Sequence, residues 1–125
     1  MKIDIRARRI DAIDTQQGVS LVLSGRAAIR IECPFELAES AVASTMIDPE
    51  NLGADLRLGV ILHGRVIEAA TADEETGKLS IRFVGGLALT VAPDPRFEAW
   101  SAGWSDGSMV VALPGGGVSS WGARR

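Results

Sequence analysis

The sequence predicts a mainly β fold: a duplicated β-meander, arranged as a pseudo-twofold sandwich or partly open barrel, with one connecting helix near residues 49–62. Three observations predict it. Apolar and polar residues alternate at period two through most of the chain, the signature of strands with one buried face. Glycine falls between successive alternating runs, where a tight hairpin needs positive φ. The pattern of the first half then returns in the second at constant offsets.

The first hairpin is explicit. Val19, Leu21 and Leu23 alternate with Ser20, Val22 and Ser24; Gly25-Arg26 marks a turn; Ala27, Ile29, Ile31 and Cys33 alternate with Ala28, Arg30 and Glu32. The second has the same form. Leu79, Ile81 and Phe83 alternate with Ser80, Arg82 and Val84, then come Gly85-Gly86 and the run Leu87, Leu89, Val91. These hairpins match at an offset of 60 residues, and the strands ahead of them, 8–14 and 65–71, match at 57. The difference falls in a loop that is short in the first copy and longer and acidic in the second, Ala72-Asp73-Glu74-Glu75-Thr76. After each hairpin a Pro and Phe-Glu precede a further apolar segment that ends at Pro49 or Pro114. The expectation is one domain, 1–125, with an internal repeat of 8–48 and 65–113.

Between the copies, Asp48 can cap a helix, Pro49 suits its first position, and Glu50 favours its positive end. Leu52, Leu56 and Val60 recur at helical spacing, and Gly64 reads as the exit. Gly53 and Gly59 weaken that helix.

Composition excludes several classes. With 46% hydrophobic and 23% charged residues over 125 positions, the chain has the balance of an ordinary folded domain. No apolar run approaches the ~18 residues of a membrane span. The charged start, Met1-Lys2-Ile3-Asp4-Ile5-Arg6, is unlike a secretion signal. Cys33 is the single cysteine, so no internal disulfide forms and the cytoplasm is the expected compartment. A net charge of −3 argues against nucleic acid as a partner.

Several motifs look chemical. Gly103-Trp104-Ser105-Asp106-Gly107 fits G-x-S-x-G, but a nucleophile elbow needs a following helix and a later histidine. An apolar strand follows instead, and His63, the one histidine, lies upstream. Pro114-Gly115-Gly116-Gly117 resembles a phosphate-cradling loop but lacks the Lys-Ser/Thr and helix of a P-loop. Its amides could still form an anion nest, though a chain reversal is the simpler reading. Cys33 falls on the buried face, where cysteine is an inert small hydrophobe. Glu98 and Asp94 are read as solvated carboxylates. No metal-ligand cluster and no cofactor motif is present. Asp73, Glu74 and Glu75 lack a calcium-loop pattern. Trp100 reads as core, while Trp104 and Trp121 stand open between core and binding anchor.

Phe97-Glu98-Ala99-Trp100, an Asp-Gly turn, and an apolar strand into Pro114-Gly115-Gly116-Gly117 with a late Trp121 resemble a group of small actinobacterial proteins of unknown function. Ile31-Glu32-Cys33-Pro34-Phe35, Gly64-Arg65-Val66 and Leu79-Ser80-Ile81-Arg82-Phe83 fit that group too. The resemblance implies a small β-rich fold and assigns no catalytic residues.

The functional expectation is non-enzymatic binding of another protein, one of basic character, with immunity-type toxin neutralisation as its sharpest form. Asp73, Glu74, Glu75, Trp104 and Trp121 are the candidate contact residues. The alternative is small-ligand or anion binding through Gly115, Gly116 and Gly117 and the cleft between the copies. Self-association is compatible with either.

Overall fold

The computed structural model describes residues 1–40, 43–51 and 56–122. Eleven strands and one helix occur among them: β1 (Ile10–Asp14), β2 (Val19–Leu23), β3 (Ala27–Ile31), β4 (Phe35–Ser40), β5 (Ala43–Ile47), α1 (Leu56–Leu62), β6 (Ile67–Ala72), β7 (Leu79–Phe83), β8 (Ala88–Val91), β9 (Trp100–Trp104), β10 (Met109–Ala112) and β11 (Val118–Trp121). They form two antiparallel sheets, ordered β1-β2-β3-β9-β10-β11 and β5-β4-β8-β7-β6. The chain is thus a β-sandwich and not a closed barrel.

Each half builds a three-stranded meander and then crosses over. β4 leaves the first meander to pair with β8, and β9 leaves the second to pair with β3. Read onto β6–β10, the strands β1–β5 keep the same neighbours in the same order. The registers correspond as well. Leu37↔Thr45 between β4 and β5 has Ala102↔Val110 between β9 and β10 as its counterpart. A register shift interrupts β1 between Ile10 and Ala12, and one interrupts β6 between Ile67 and Ala69. Arg8 Nη1 donates to the carbonyls of Ser24 (2.9 Å) and Gly25 (2.8 Å). Its counterpart Arg65 lies against Gly85, where an added Cβ would be 3.4 Å from Nη1.

Both hairpin loops are one residue longer than the two-residue turn expected. Leu23 pairs with Ala27, and the Phe83 amide donates to the Leu87 carbonyl, so three residues connect the strands in each case. Gly25 and Arg26 both have positive φ, as do Gly85 and Gly86.

The inward faces are those the alternation marks. Val19, Leu21, Leu23, Ile29 and Ile31 from one sheet, and Leu79, Ile81, Phe83, Leu89 and Val91 from the other, join one buried cluster. Residues 1–8 close one side of it: Ile3 and Ile5 enter the core, and Lys2 bridges to Thr71 of β6.

The connecting helix is present, but it does not begin where the sequence suggests. Asp48 Oδ1 accepts the Glu50 amide at 3.0 Å and the Asp48 carbonyl accepts the Asn51 amide, so residues 48–51 form a turn and no helix starts at Pro49. Among the described side chains of α1, Leu58 and Leu62 are buried, while Val60 is 84% exposed. Of the expected stripe Leu52, Leu56 and Val60, Leu52 lies outside the described residues, as does Gly53. Gly64, with φ of 80°, does form the exit.

Phe83 is fully enclosed, so Phe83→Ala is expected to cost about 3–5 kcal/mol. Arg82 points outward with a solvent-exposed bond to Glu68 (2.8 Å), so Arg82→Ala is expected to cost under about 1 kcal/mol. Chemical denaturation of both variants measures the contrast; equal effects would show that the facing of β7 is wrong.

Candidate functional site

Short side-chain oxygens build one end of the molecule. Asp73 Oδ1 accepts the amides of Glu75 (2.9 Å) and Thr76 (3.0 Å), folding the acidic loop into a turn. Those bonds favour the ionised carboxyl and hold Asp73 below the ordinary aspartate pKa. Asp94 does the same after β8. Its Oδ1 accepts the amides of Arg96 (2.7 Å) and Phe97 (3.1 Å), and its pKa is lowered for that reason. Asp94 Oδ2 also receives the Cys33 thiol at 3.5 Å. Burial first, then this carboxylate, push the thiol up to about 11, so Cys33 is a protonated, unreactive group at neutral pH.

The 114–117 loop joins these two turns. The Gly115 amide donates to the Asp94 carbonyl (2.9 Å), and the Gly116 amide to the Leu113 carbonyl (3.1 Å). On its other side the loop touches the acidic turn: a Cβ on Gly77 would lie 2.7 Å from the Gly117 oxygen, and one on Gly116 would lie 3.1 Å from the Glu75 oxygen. Trp100 fastens the arrangement from below, its buried Nε1 donating to the Gly77 carbonyl at 2.7 Å.

The end so formed is acidic and carries one exposed aromatic ring. A surface depression of about 500 Å³ is lined by Glu32, Glu50, Arg96, Phe97, Glu98 and Pro114. Phe97 is 63% exposed. Asp73, Glu74 and Glu75 lie exposed on the far side of the 114–117 loop. Sequence reading found the acidic turn but missed Phe97, Glu32 and Glu50 as members of a surface. Only the Arg-Phe-Glu run beside a turn-forming Asp94 hinted that Phe97 is held outward.

The two open tryptophans separate. Trp104 is buried, packed in the core with Nε1 donating to the Asp4 carbonyl at 3.0 Å. It is not an exposed anchor, because Trp100, Ala102 and Trp104 share the inward face of β9. Trp121 is 52% exposed on the edge strand β11. It lines a second groove, of about 240 Å³, with Met1, Asp4 and Met109. Trp104 and Trp121 lie at the end of β9–β11 opposite the 114–117 loop, so the candidate contact residues do not form one cluster.

Ser105 sits in a β-turn closed by the Gly107 amide on the Trp104 carbonyl (3.0 Å), and strand β10 follows it. His63 is exposed just beyond α1. Among the described residues no group of three or more His, Cys, Asp or Glu side chains could hold a metal ion, and no helix is long and apolar enough to cross a membrane.

Residues 1–122 match the model of a family of unknown function (DUF6188), and the chain belongs to that family. No curated protein and no solved structure matches it.

Because Asp94 has a lowered folded pKa, its stabilisation is present above the ordinary aspartate range and is lost as pH falls through the folded value. Asp94→Ala should therefore melt below the wild type at neutral pH, with the gap narrowing from about pH 5 downward. Thermal melts across that range check this; a gap independent of pH would place the contribution of Asp94 in packing rather than charge.

Proposed function

We propose that this member of the family is a non-enzymatic binding module whose acidic end receives a basic protein partner. The observation that carries this reading is the juxtaposition at the 114–117 loop. Glu32, Glu50 and Glu98 with exposed Phe97 lie on one side, and Asp73, Glu74 and Glu75 on the other. Clustered carboxylates speed encounter with a basic surface, and the rate falls as salt rises. An exposed aromatic ring supplies the anchor that slows dissociation. The sharpest form of the proposal is immunity-type neutralisation, in which a small cytoplasmic domain occludes a toxin and needs no chemistry of its own. The narrower resemblance, to actinobacterial proteins sharing the 97–100 and 114–117 signature, belongs to this proposal as well.

Nothing favours the anion reading. The Gly115 and Gly116 amides already donate within the protein, and the surrounding carboxylates would repel an anion. A nucleophilic Ser105 gains no support either, since a strand and not a helix follows it.

The test is cross-linking of the purified protein in extract at low salt, followed by kinetics with the captured partner. Glu74→Gln with Glu75→Gln should slow association and flatten its salt dependence. Asp73 is left intact in that variant because it folds the turn. Phe97→Ala should speed dissociation by about 2 kcal/mol, roughly thirtyfold, with Trp121→Ala near neutral. The reverse order for the two aromatic variants would move the docking surface to the Trp121 groove, and indifference to all of them would sink the proposal.

A further inference from the structure

The two halves differ at one sheet edge, and the difference says what is missing. In the six-stranded sheet the edge of β10 is covered by β11, which pairs antiparallel over Met109↔Trp121 to Ala112↔Val118. The counterpart of β10 in the five-stranded sheet is β5, and β5 is the last strand of that sheet. The side chains register the contrast. Val110 and Val111 are 8% and 3% exposed. Their counterparts, Thr45 and Met46, are both exposed, Met46 by 62%.

Among the described residues no strand covers β5, and its guard is a register shift in its pairing with β4, between Ala38 and Ser40 opposite Ser44 and Ala43. Natural edge strands carry charges, prolines or bulges that discourage pairing. Ala43-Ser44-Thr45-Met46-Ile47 has no charge and no proline. The strand that covers β10, Val118-Ser119-Ser120-Trp121, is likewise uncharged. β5 is also self-complementary about its centre. With Thr45 placed opposite Thr45 of a second copy, Ser44 falls opposite Met46, so a small outward side chain meets a large one twice. Thr–Thr is a favourable cross-strand pair. Thr45 is exposed at the edge, but it shares the parity of buried Ile47 and pairs with buried Leu37, so both sheets keep the same core side across the junction.

We propose that β5 of one copy pairs antiparallel with β5 of a second about a twofold axis at Thr45, making one continuous ten-stranded sheet. The contact is isologous and closes on itself. Five paired residues are small against the roughly 1,200–2,000 Å² of a standard interface, so monomer and dimer exchange and the dimer fraction follows concentration. The acidic end is not part of this contact, and the inference stands whether or not that end binds a partner.

Sedimentation of the purified chain over a concentration series tests it, using Thr45→Glu and Thr45→Lys, whose melts report retained folding. The wild type should pass from one chain to two as concentration rises. Each variant alone should associate at least about tenfold more weakly, because the twofold sets like charges face to face. An equimolar mixture of the two should recover the dimer, which only a contact of residue 45 with itself explains. Thr45→Cys gives an independent readout, a short thiol cross-linker joining two chains while buried Cys33 stays unreacted. A wild type that stays monomeric throughout overturns the proposal. So does a dimer indifferent to charge at residue 45, or a mass that climbs beyond two chains, which marks open-ended pairing with another edge.

Discussion

Everything in this fold depends on the exchange of strands between the halves. β3 completes its pairing only when β9 arrives, and β8 only when β4 lies beside it. Neither meander alone has a partner for its inner strand or a cover for its apolar face. The exchange puts residues from both halves into both sheets, so the core is one cluster rather than two. It also sets the position of Trp100. As the first residue of a crossed-over strand, Trp100 lies under the turn of the other sheet and bonds to Gly77. The acidic end is therefore held by the same crossing that holds the sandwich.

Alternation along the chain showed which side chains of β2, β3, β7 and β8 face inward, because a half-buried strand must alternate at period two. It could not show the crossing. Period two says which face of a strand is buried but not which sheet the strand joins, so β4 and β9 read merely as further apolar segments. The 48–51 segment misled for a related reason. A side-chain oxygen reaching an amide two residues on is the chemistry of a helix cap and of an Asx turn alike. Here Asp48 makes the turn, and among the described residues α1 spans Leu56–Leu62. Trp104 was decidable in principle, since it shares parity with Trp100. Trp121 was not, since its exposure follows from β11 lying at an edge. Of the acidic end, the contiguous Asp73-Glu74-Glu75 run was visible. Glu32, Glu50 and Phe97 come together only through folding.

Aspartate has a double role at that end. Backbone amides aimed at Asp73 and Asp94 hold their carboxyls below the ordinary aspartate pKa, and those same bonds shape the turns. Among the described residues, the side chains of Glu74, Glu75 and Glu98 accept no such turn-forming amide. Their charge can change without unfolding the turn that presents it. Shape and charge are thus carried by different residues, which lets the electrostatic character of the surface vary on a constant scaffold.

The crossing also dictates when this protein can fold during its own synthesis. Once residues 1–47 have left the ribosome, β1, β2 and β3 can form a meander, but β3 has an open edge until β9 is made, and β4 must wait for β8. A chain of this topology cannot secure its first half and then add the second. The sequence-distant pairings that define the fold are the last to become available, and such contacts slow folding. Until then apolar strands with bare edges are exposed to whatever else is nearby. A nascent chain of this kind is a natural client for chaperones, and truncation before β9 would yield an aggregating fragment rather than a smaller stable domain.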